Sequence, residues 1–202
     1  MTKNITTIEG GAIATDDAHL ADTAERLALH GLSHGAWQRY SDAGFKHYEV
    51  VEPGFKFNMT DVQAALGIRQ LPKLDDWIGV REERWRAYDG LLADLPLTLP
   101  PPPTEGTKHA RHLYSVLVER GDPDHRDRVL DSLTRQRIGA GVHYRGVHLH
   151  PYYRDRYSIE PASLPVATDI SNRTISLPLS PKVSATDQED VAAALAAALS
   201  ER

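Results

Sequence analysis

The spacing of apolar and polar residues predicts a helix near the start of the chain. Asp16 or Asp17 can cap this helix, which runs to about His30 before Gly31 ends it. Its apolar face repeats at helical spacing and consists of Leu20, Ala24, Leu27 and Ala28. Ahead of it, Gly10 and Gly11 predict a tight turn that leads into a short strand over residues 12–15. A strand needs hydrogen-bonding neighbours, and none are evident in the chain.

Two more helices are predicted in close succession. Asn58 or Thr60 can start the second helix, whose apolar positions are Val62, Ala65, Leu66 and Leu71. Pro72 suits the first turn of the third helix, which spans residues 73–92. Its apolar positions are Leu74, Trp77, Ile78, Trp85, Tyr88 and Leu92. The charged residues 81–84 interrupt this pattern, and such a charged face is typical of a solvated helix surface.

The second half of the chain alternates between strand and helix patterns after a proline run at residues 100–103. The predicted strands cover residues 112–119, 141–144 and 175–177. The predicted helices cover residues 124–136, 164–170 and 185–199, the last of them capped by Ser184. This alternation predicts an α/β layer, with a sheet on one side and helices on the other.

Residues 31–57 predict a long irregular connection between the first two helices. It carries two glycines beside His34 and a set of aromatic side chains, namely Trp37, Tyr40, Phe45 and Tyr48. Long connections rich in aromatic residues are often functional or interfacial. We therefore expect this segment to contribute to a binding surface.

Composition narrows the class of protein. The 202 residues are 41% hydrophobic and 25% charged, with a formal net charge of −5, which is ordinary for a soluble globular protein. No basic stripe indicates a nucleic-acid partner. The absence of cysteine excludes disulfides, thiolate nucleophiles and cysteine–zinc sites. No apolar run approaches the roughly 20 residues of a membrane span, and no signal-peptide core is present, so we expect a cytoplasmic protein without membrane partners.

Four motifs occur in order along the chain. They cover residues 2–7 with Glu9-Gly10-Gly11, residues 54–67, residues 139–144 followed by 148–153, and residues 171–173 with 176–179. Together they resemble the signatures of the DegT/DnrJ/StrS aminotransferases, which install amino groups on nucleotide-linked keto-sugars. Any one motif is a weak signal, but four in the same order and at compatible spacing are a strong one.

The resemblance implies an α/β fold class and a two-part organisation. The chain would be a fragment of a fold-type-I aminotransferase dependent on pyridoxal phosphate, with the end of the large domain and a complete small α/β domain. We expect the remnant of the large domain at residues 1–72, a linking helix at 73–94 and the small domain at 95–202. The implied reaction transfers an amino group from glutamate or glutamine to a nucleotide-linked keto-sugar, within a homodimer.

Lys3 is the catalytic and cofactor-binding residue that the resemblance implies. A lysine near a chain terminus is ordinarily a solvated surface residue, and the Thr2-Lys3-Asn4 motif reverses that interpretation. Only a neutral amine attacks an aldehyde, and a lysine with this role must also be held by rigid structure. The resemblance implies that Lys3 binds pyridoxal phosphate covalently, is displaced by the substrate, and then moves a proton between substrate and cofactor. Gly10 and Gly11 would let the backbone pass beneath the cofactor ring.

Asn58 is the second expected cofactor-binding residue. Its side-chain amide can donate a hydrogen bond to a phosphate oxygen, and it can also cap the helix that follows. The resemblance implies that this contact reaches the phosphate from the second subunit of a dimer. Lys56 is the alternative phosphate contact, although lysines in such loops usually face solvent.

The histidines 143, 148 and 150 form a cluster that could in principle bind a metal ion. No carboxylate or cysteine completes an obvious ligand set, so we expect no metal. The resemblance instead implies that His143 and His148 contact the substrate, and structural packing of either residue stays open. Tyr152 and Tyr153 are expected to be packing residues. Arg173 could face a carboxylate or phosphate group, or could pair with a nearby acid.

The resemblance implies that further groups needed for this chemistry lie before Lys3. These groups are an acid for the pyridine nitrogen, a ring-stacking side chain and a helix N-terminus for the phosphate. We therefore expect the 202-residue chain alone to show no useful aminotransferase activity. A truncated gene model would explain this arrangement. The alternatives are a non-catalytic remnant or partner subunit that only binds another chain, and a histidine metal-binding module.

Overall fold

A computed structural model of the chain describes residues 3–33, 48–119 and 124–201. The chain divides into two units, Met1–Lys73 and Leu74–Arg202. The predicted aromatic surface at Trp37, Tyr40 and Phe45 lies outside the described residues. No helix in the described part is both long and apolar enough to span a membrane.

The first unit contains the helices α1 (Ala18–Ala28) and α2 (Asp61–Gln70), the second of which continues into a 3-10 turn at Leu71–Lys73. The predicted caps are confirmed. The Asp17 carboxylate accepts the N–H of Leu20, and Thr60 forms a reciprocal capping box with Gln63. Gly31 follows α1 at φ +70°, and a Cβ there would lie 1.8 Å from the carbonyl oxygen of Glu52. Only glycine fits this position.

The first unit has almost no buried core of its own. Within residues 3–33 and 48–73, Gly31 alone is buried. Ile13 is 72% exposed and Phe57 is 73% exposed. The predicted strand over residues 12–15 is wrong, because no described segment pairs with it and its side chains are exposed. A strand is defined by its partner, so local sequence alone could not establish it.

The second unit begins with α3 (Leu74–Leu91) and carries a three-stranded antiparallel sheet. The strands are β1 (Leu97–Thr98), β2 (Tyr114–Val118) and β3 (Thr174–Leu177), in the order β1-β2-β3. Between β2 and β3 lie the helices α4 (His125–Arg135), α5 (Pro151–Tyr157) and α6 (Pro165–Arg173), with 3-10 turns at Val147–Leu149 and Pro161–Ser163. The last helix, α7 (Ala185–Ser200), starts from the predicted Ser184 cap.

One hydrophobic core lies between this sheet and the helices α3, α4 and α7. Its buried side chains are Trp85, Tyr88, Leu92, Tyr114, Val116, Val118, Val129, Leu133, Ile175, Leu177, Val191, Ala192, Ala194, Leu195 and Ala198. Alternate residues of β2 point inward, as expected for a sheet covered on one face. The predicted α/β layer is therefore confirmed.

The interpretation of residues 81–84 as a solvated face is wrong for Arg81. Its guanidinium is buried and donates from Nη1 to the carbonyl oxygens of Arg111, His112 and Leu179 at 3.1–3.3 Å. Burial lowers its pKa from the usual value. Backbone carbonyls that converge from distant parts of the chain supply the acceptors that make this burial tolerable, and a helical pattern does not show them.

Glu82 is also engaged rather than merely solvated. Its carboxylate binds Arg111 at 2.5 Å, and the Arg111 guanidinium lies 4.3 Å from the centre of the Trp85 ring. The hydrogen bond from Arg111 lowers the pKa of Glu82, against a smaller opposing effect of burial. This group ties the segment before β2 to α3.

Two other expectations for the second unit are corrected. In place of a strand over residues 141–144, Gly141 alone pairs, through two hydrogen bonds with Ser176. Tyr152 and Tyr153 were expected to be packing residues, but both are exposed and their rings contact each other edge to face. Both residues lie in a short helix that starts at Pro151 and carries no buried side chain.

Candidate functional site

The loop that carries Lys3 is attached to the helix α2 by side-chain hydrogen bonds. Gln70 accepts the N–H of Thr6 at 3.0 Å and donates to the carbonyl of the same residue at 2.8 Å. Two turns nearer the start of the helix, Gln63 donates to the carbonyl of Glu9 at 2.9 Å. The first two family motifs, far apart in sequence, therefore form one local assembly within the first unit.

Two glycines allow this close approach. A Cβ on Gly10 would lie 2.5 Å from the hydroxyl of Thr7 and 2.9 Å from the methyl group of Met59. A Cβ on Gly67 of α2 would lie 3.0 Å from the methyl group of Thr7. The sequence predicted the turn at Gly10. It did not reveal that Gly67 makes room for the loop.

A cavity of about 500 Å³ lies along the inner side of this loop. Its lining consists of Lys3, Ile5, Thr6, Thr7, Ile8, Glu9, Gly10, Gly11, Ala12 and Met59. Lys3 is exposed, so its amine is accessible. The structure thus brings the lysine and the residue next to Asn58 to the same cavity.

Asn58 is held in place by the end of α1. The N–H groups of Phe57 and Asn58 both donate to the carbonyl of Ala28, at 2.8 and 3.1 Å. Two residues later Thr60 caps α2, so the backbone of Asn58 is fixed on both sides. The cap is Thr60 rather than Asn58, which leaves the Asn58 side chain available for another contact.

Lys56 and Asn58 form a pair of donors. The ammonium of Lys56 hydrogen-bonds to the side-chain oxygen of Asn58. A lysine can only donate, so this contact fixes the orientation of the amide and turns its NH₂ group away from Lys56. The pair offers amide and ammonium donors side by side, which suits a phosphate group. Both candidates for the phosphate contact therefore lie together.

The two histidines that were expected to contact substrate differ in their surroundings. His143 is partly buried, and its Nδ1 atom is buried without a hydrogen-bond partner among the described residues. His148 is 6% exposed, and its Nε2 lies 2.8 Å from the hydroxyl of Thr168. His143 thus has a polar atom without a hydrogen-bond partner among the described residues, whereas the ring of His148 is buried and bonded to Thr168 of α6.

The remaining candidates have local partners. Arg173 binds the carboxylate of Asp169 and the carbonyl of Val118, so the alternative of a nearby acid is confirmed. Across residues 3–33, 48–119 and 124–201, no three histidine, aspartate or glutamate side chains converge in a way that could hold a metal ion. His150 is exposed, whereas His148 is buried.

Comparisons with known proteins agree with the motifs. The family model for DegT/DnrJ/EryC1/StrS aminotransferases matches residues 1–196. The spore coat polysaccharide biosynthesis protein SpsC of Bacillus subtilis is 43% identical over 192 residues, which is 94% of this chain and 49% of SpsC. The chain spans about half the length of the curated relatives that it matches.

Solved structures show the same relationship. PseC of Helicobacter pylori, an aminotransferase of pseudoaminic acid biosynthesis, is 29% identical with a TM-score of 0.84, over 97% of this chain and 50% of PseC. Spr1654 of Streptococcus pneumoniae, solved in a PLP form, is 26% identical with a TM-score of 0.82, over 97% of this chain and 49% of Spr1654. The expected fold class is confirmed, as is pyridoxal phosphate as the cofactor of the family. The chain belongs to the DegT/DnrJ/EryC1/StrS aminotransferase family.

Proposed function

We propose that this chain supplies the lysine loop and a phosphate contact to an aminotransferase that acts on a nucleotide-linked keto-sugar, with glutamate or glutamine as the amino donor. The observation that carries the proposal is the attachment of the Lys3 loop to α2 by Gln63 and Gln70. The donor pair of Lys56 and Asn58 belongs to the same unit. The proposal is supported because an exposed lysine and a pair of side-chain donors of the kind that suits a phosphate group occur in the same unit.

Each residue has a distinct role in the proposal. Pyridoxal phosphate, when bound, supplies the electron sink that lets a proton leave the substrate carbon. Lys3 holds the cofactor and then moves that proton, a role that its exposed side chain leaves open. Asn58 donates to the phosphate, with Lys56 adding positive charge. His143, whose Nδ1 has no hydrogen-bond partner within the described part of the chain, contacts the sugar substrate.

The test of Lys3 uses the chain joined to the N-terminal half of the family fold. Borohydride reduction with pyridoxal phosphate should attach the cofactor to Lys3, as located by peptide mass spectrometry. Lys3→Arg keeps the charge and should lose both the adduct and nearly all turnover. An adduct on another lysine, with activity retained in Lys3→Arg, would refute the assignment.

The test of Asn58 uses mixed subunits, because the proposal includes a homodimer whose phosphate contact crosses the interface. A Lys3→Ala subunit mixed with an Asn58→Ala subunit should recover part of the activity that each lacks alone. A different affinity tag on each subunit, with both tags recovered in one dimer, can show that mixed dimers form. Mixed dimers without any recovered activity would show that Asn58 does not act across the interface.

A second candidate function is binding to another polypeptide without catalysis. It is favoured by an apolar groove in the first unit, formed by residues 11–16, one face of α1, and the stacked rings of Phe55 and Phe57. The discriminating experiment supplies the 202-residue chain with pyridoxal phosphate, glutamate and a panel of nucleotide-linked keto-sugars. We expect no 2-oxoglutarate from the chain alone. Robust turnover would contradict that expectation and the binding-only candidate together.

A further inference from the structure

The hydrogen bonds around Thr168 determine which nitrogen of His148 carries a proton. The Thr168 hydroxyl lies 2.9 Å from the carbonyl of Pro161, which can only accept, and 2.8 Å from Nε2 of His148. A hydroxyl has a single proton, and Thr168 donates it in the hydrogen bond to the Pro161 carbonyl. The Thr168 oxygen must then accept from the ring, so both contacts are satisfied only when His148 is protonated at Nε2.

Gly146 packs directly against the ring of His148. Its φ of −55° is open to any residue, so glycine is not required by the backbone. A Cβ at this position, however, would lie 2.7 Å from Cε1 and 3.0 Å from Nδ1 of His148. The N–H of Gly146 donates to the hydroxyl of Ser171 at 2.8 Å. The histidine ring therefore fills the space that a side chain at position 146 would need.

These contacts attach one end of a loop to α6. Thr168 and Ser171 are three residues apart and share a face of the helix, and they hold His148 and Gly146 respectively. The other end of the loop is fixed where Gly141 pairs with Ser176 of β3. Between the two attachments stand residues 142–145, which include His143 and the 66% exposed Tyr144.

We infer that His148 is a positioning residue: its Nε2–H bond to Thr168, together with the fit of its ring against Gly146, fixes the loop that presents His143 and Tyr144. His148 then does not contact the sugar itself. This inference rests on the proposed function for the identity of the ligand. The geometry that carries it lies wholly within the second unit and can be measured without turnover.

The first experiment reads the tautomer and the loop in the 202-residue chain. Long-range proton–nitrogen NMR correlations should show His148 protonated at Nε2. His148→Met removes the donor at similar size, and the Gly146 and Leu149 amides should then exchange with solvent about tenfold faster. His148→Gln, which can still donate to Thr168, should restore most of the protection. The matched control is His150→Gln, because His150 is exposed, and this variant should leave the exchange rates of both amides unchanged.

A second variant keeps the test decisive if His148→Met does not fold. Thr168→Val removes the same hydrogen bond from the other side with an isosteric side chain, and it should accelerate the same two amides. An Nε2 without a proton in the wild-type chain would overturn the inference. Protection that is unchanged in Thr168→Val, or that is lost equally in His148→Gln and His148→Met, would also overturn it.

The kinetic experiment uses the chain joined to the N-terminal half of the family fold. His148→Gln should keep KM for the sugar nucleotide within about twofold, whereas His148→Met should raise KM several-fold with a smaller change in kcat. Equal losses in both variants would mean that the imidazole itself touches substrate. A wild-type enzyme without turnover would refute the proposed function, while the tautomer and exchange results would still decide the role of His148.

Discussion

Replacing Gln70 should loosen the lysine loop at Thr6, while the Gln63–Glu9 contact and the second unit stay intact. The Gln70 side chain pairs with both the N–H and the carbonyl of Thr6, at 3.0 and 2.8 Å, in a half-buried position. A hydrogen bond of this kind contributes about 1 kcal/mol net, so Gln70→Leu should cost roughly 2 kcal/mol locally. A loss of about 2 kcal/mol raises the equilibrium constant for local opening of the loop about 30-fold over the wild type.

Hydrogen exchange measured by NMR is the direct assay. The amide of Thr6 should exchange about 30-fold faster in Gln70→Leu, while amides of β2 and β3 should be unaffected. Arg69→Leu is the control, because Arg69 is the exposed neighbour in the same helix turn. If the Thr6 amide exchanges at the same rate in both variants, the side-chain pairing does not hold the loop and the reasoning fails.

Two further predictions concern the second unit. Glu82 has a pKa that its hydrogen bond from Arg111 holds below the usual 4.5, so its stabilisation is complete above pH 4.5 and is lost as the pH falls through the lowered value. Glu82→Gln should therefore flatten the acid side of urea-derived unfolding free energies between about pH 3 and pH 6, and an unchanged profile would contradict this. Leu195→Ala empties a fully buried position and should cost about 3 kcal/mol in the same assay, against about 1–2 kcal/mol for Leu199→Ala, whose side chain is only partly buried against the same core.

Helices with local start signals could be predicted from the sequence. Ser184 begins α7, and a capping box with Asp187 fixes that first turn within four residues of chain. Thr60 does the same for α2. Such signals depend on neighbours in sequence, so no tertiary information was needed to find them.

Features that depend on distant partners could not be predicted in this way. The sequence pattern predicts that Arg81 is a surface charge on its helix. Its burial depends on three backbone carbonyls, one of which belongs to a residue 98 positions away. His148 matched a substrate-contact motif, and only the position of Thr168 shows that its ring is engaged inside the fold. The strand expected over residues 12–15 failed for the same reason, since pairing partners are not a local property.

The contact between the first two family motifs, by contrast, leaves a pattern in the sequence of α2. Gln63, Gly67 and Gln70 are spaced by four and three residues, so they share one face of α2. Along that face they meet Glu9, Thr7 and Thr6 in turn, which means that the lysine loop runs antiparallel to the helix. Two amide side chains flanking a glycine on one helix face leave a polar groove that can accept an extended backbone. Gln63 and Gly67 belong to the second motif and Gln70 follows three residues after it, so the spacing along this helix face indicates where the first motif, and with it Lys3, lies.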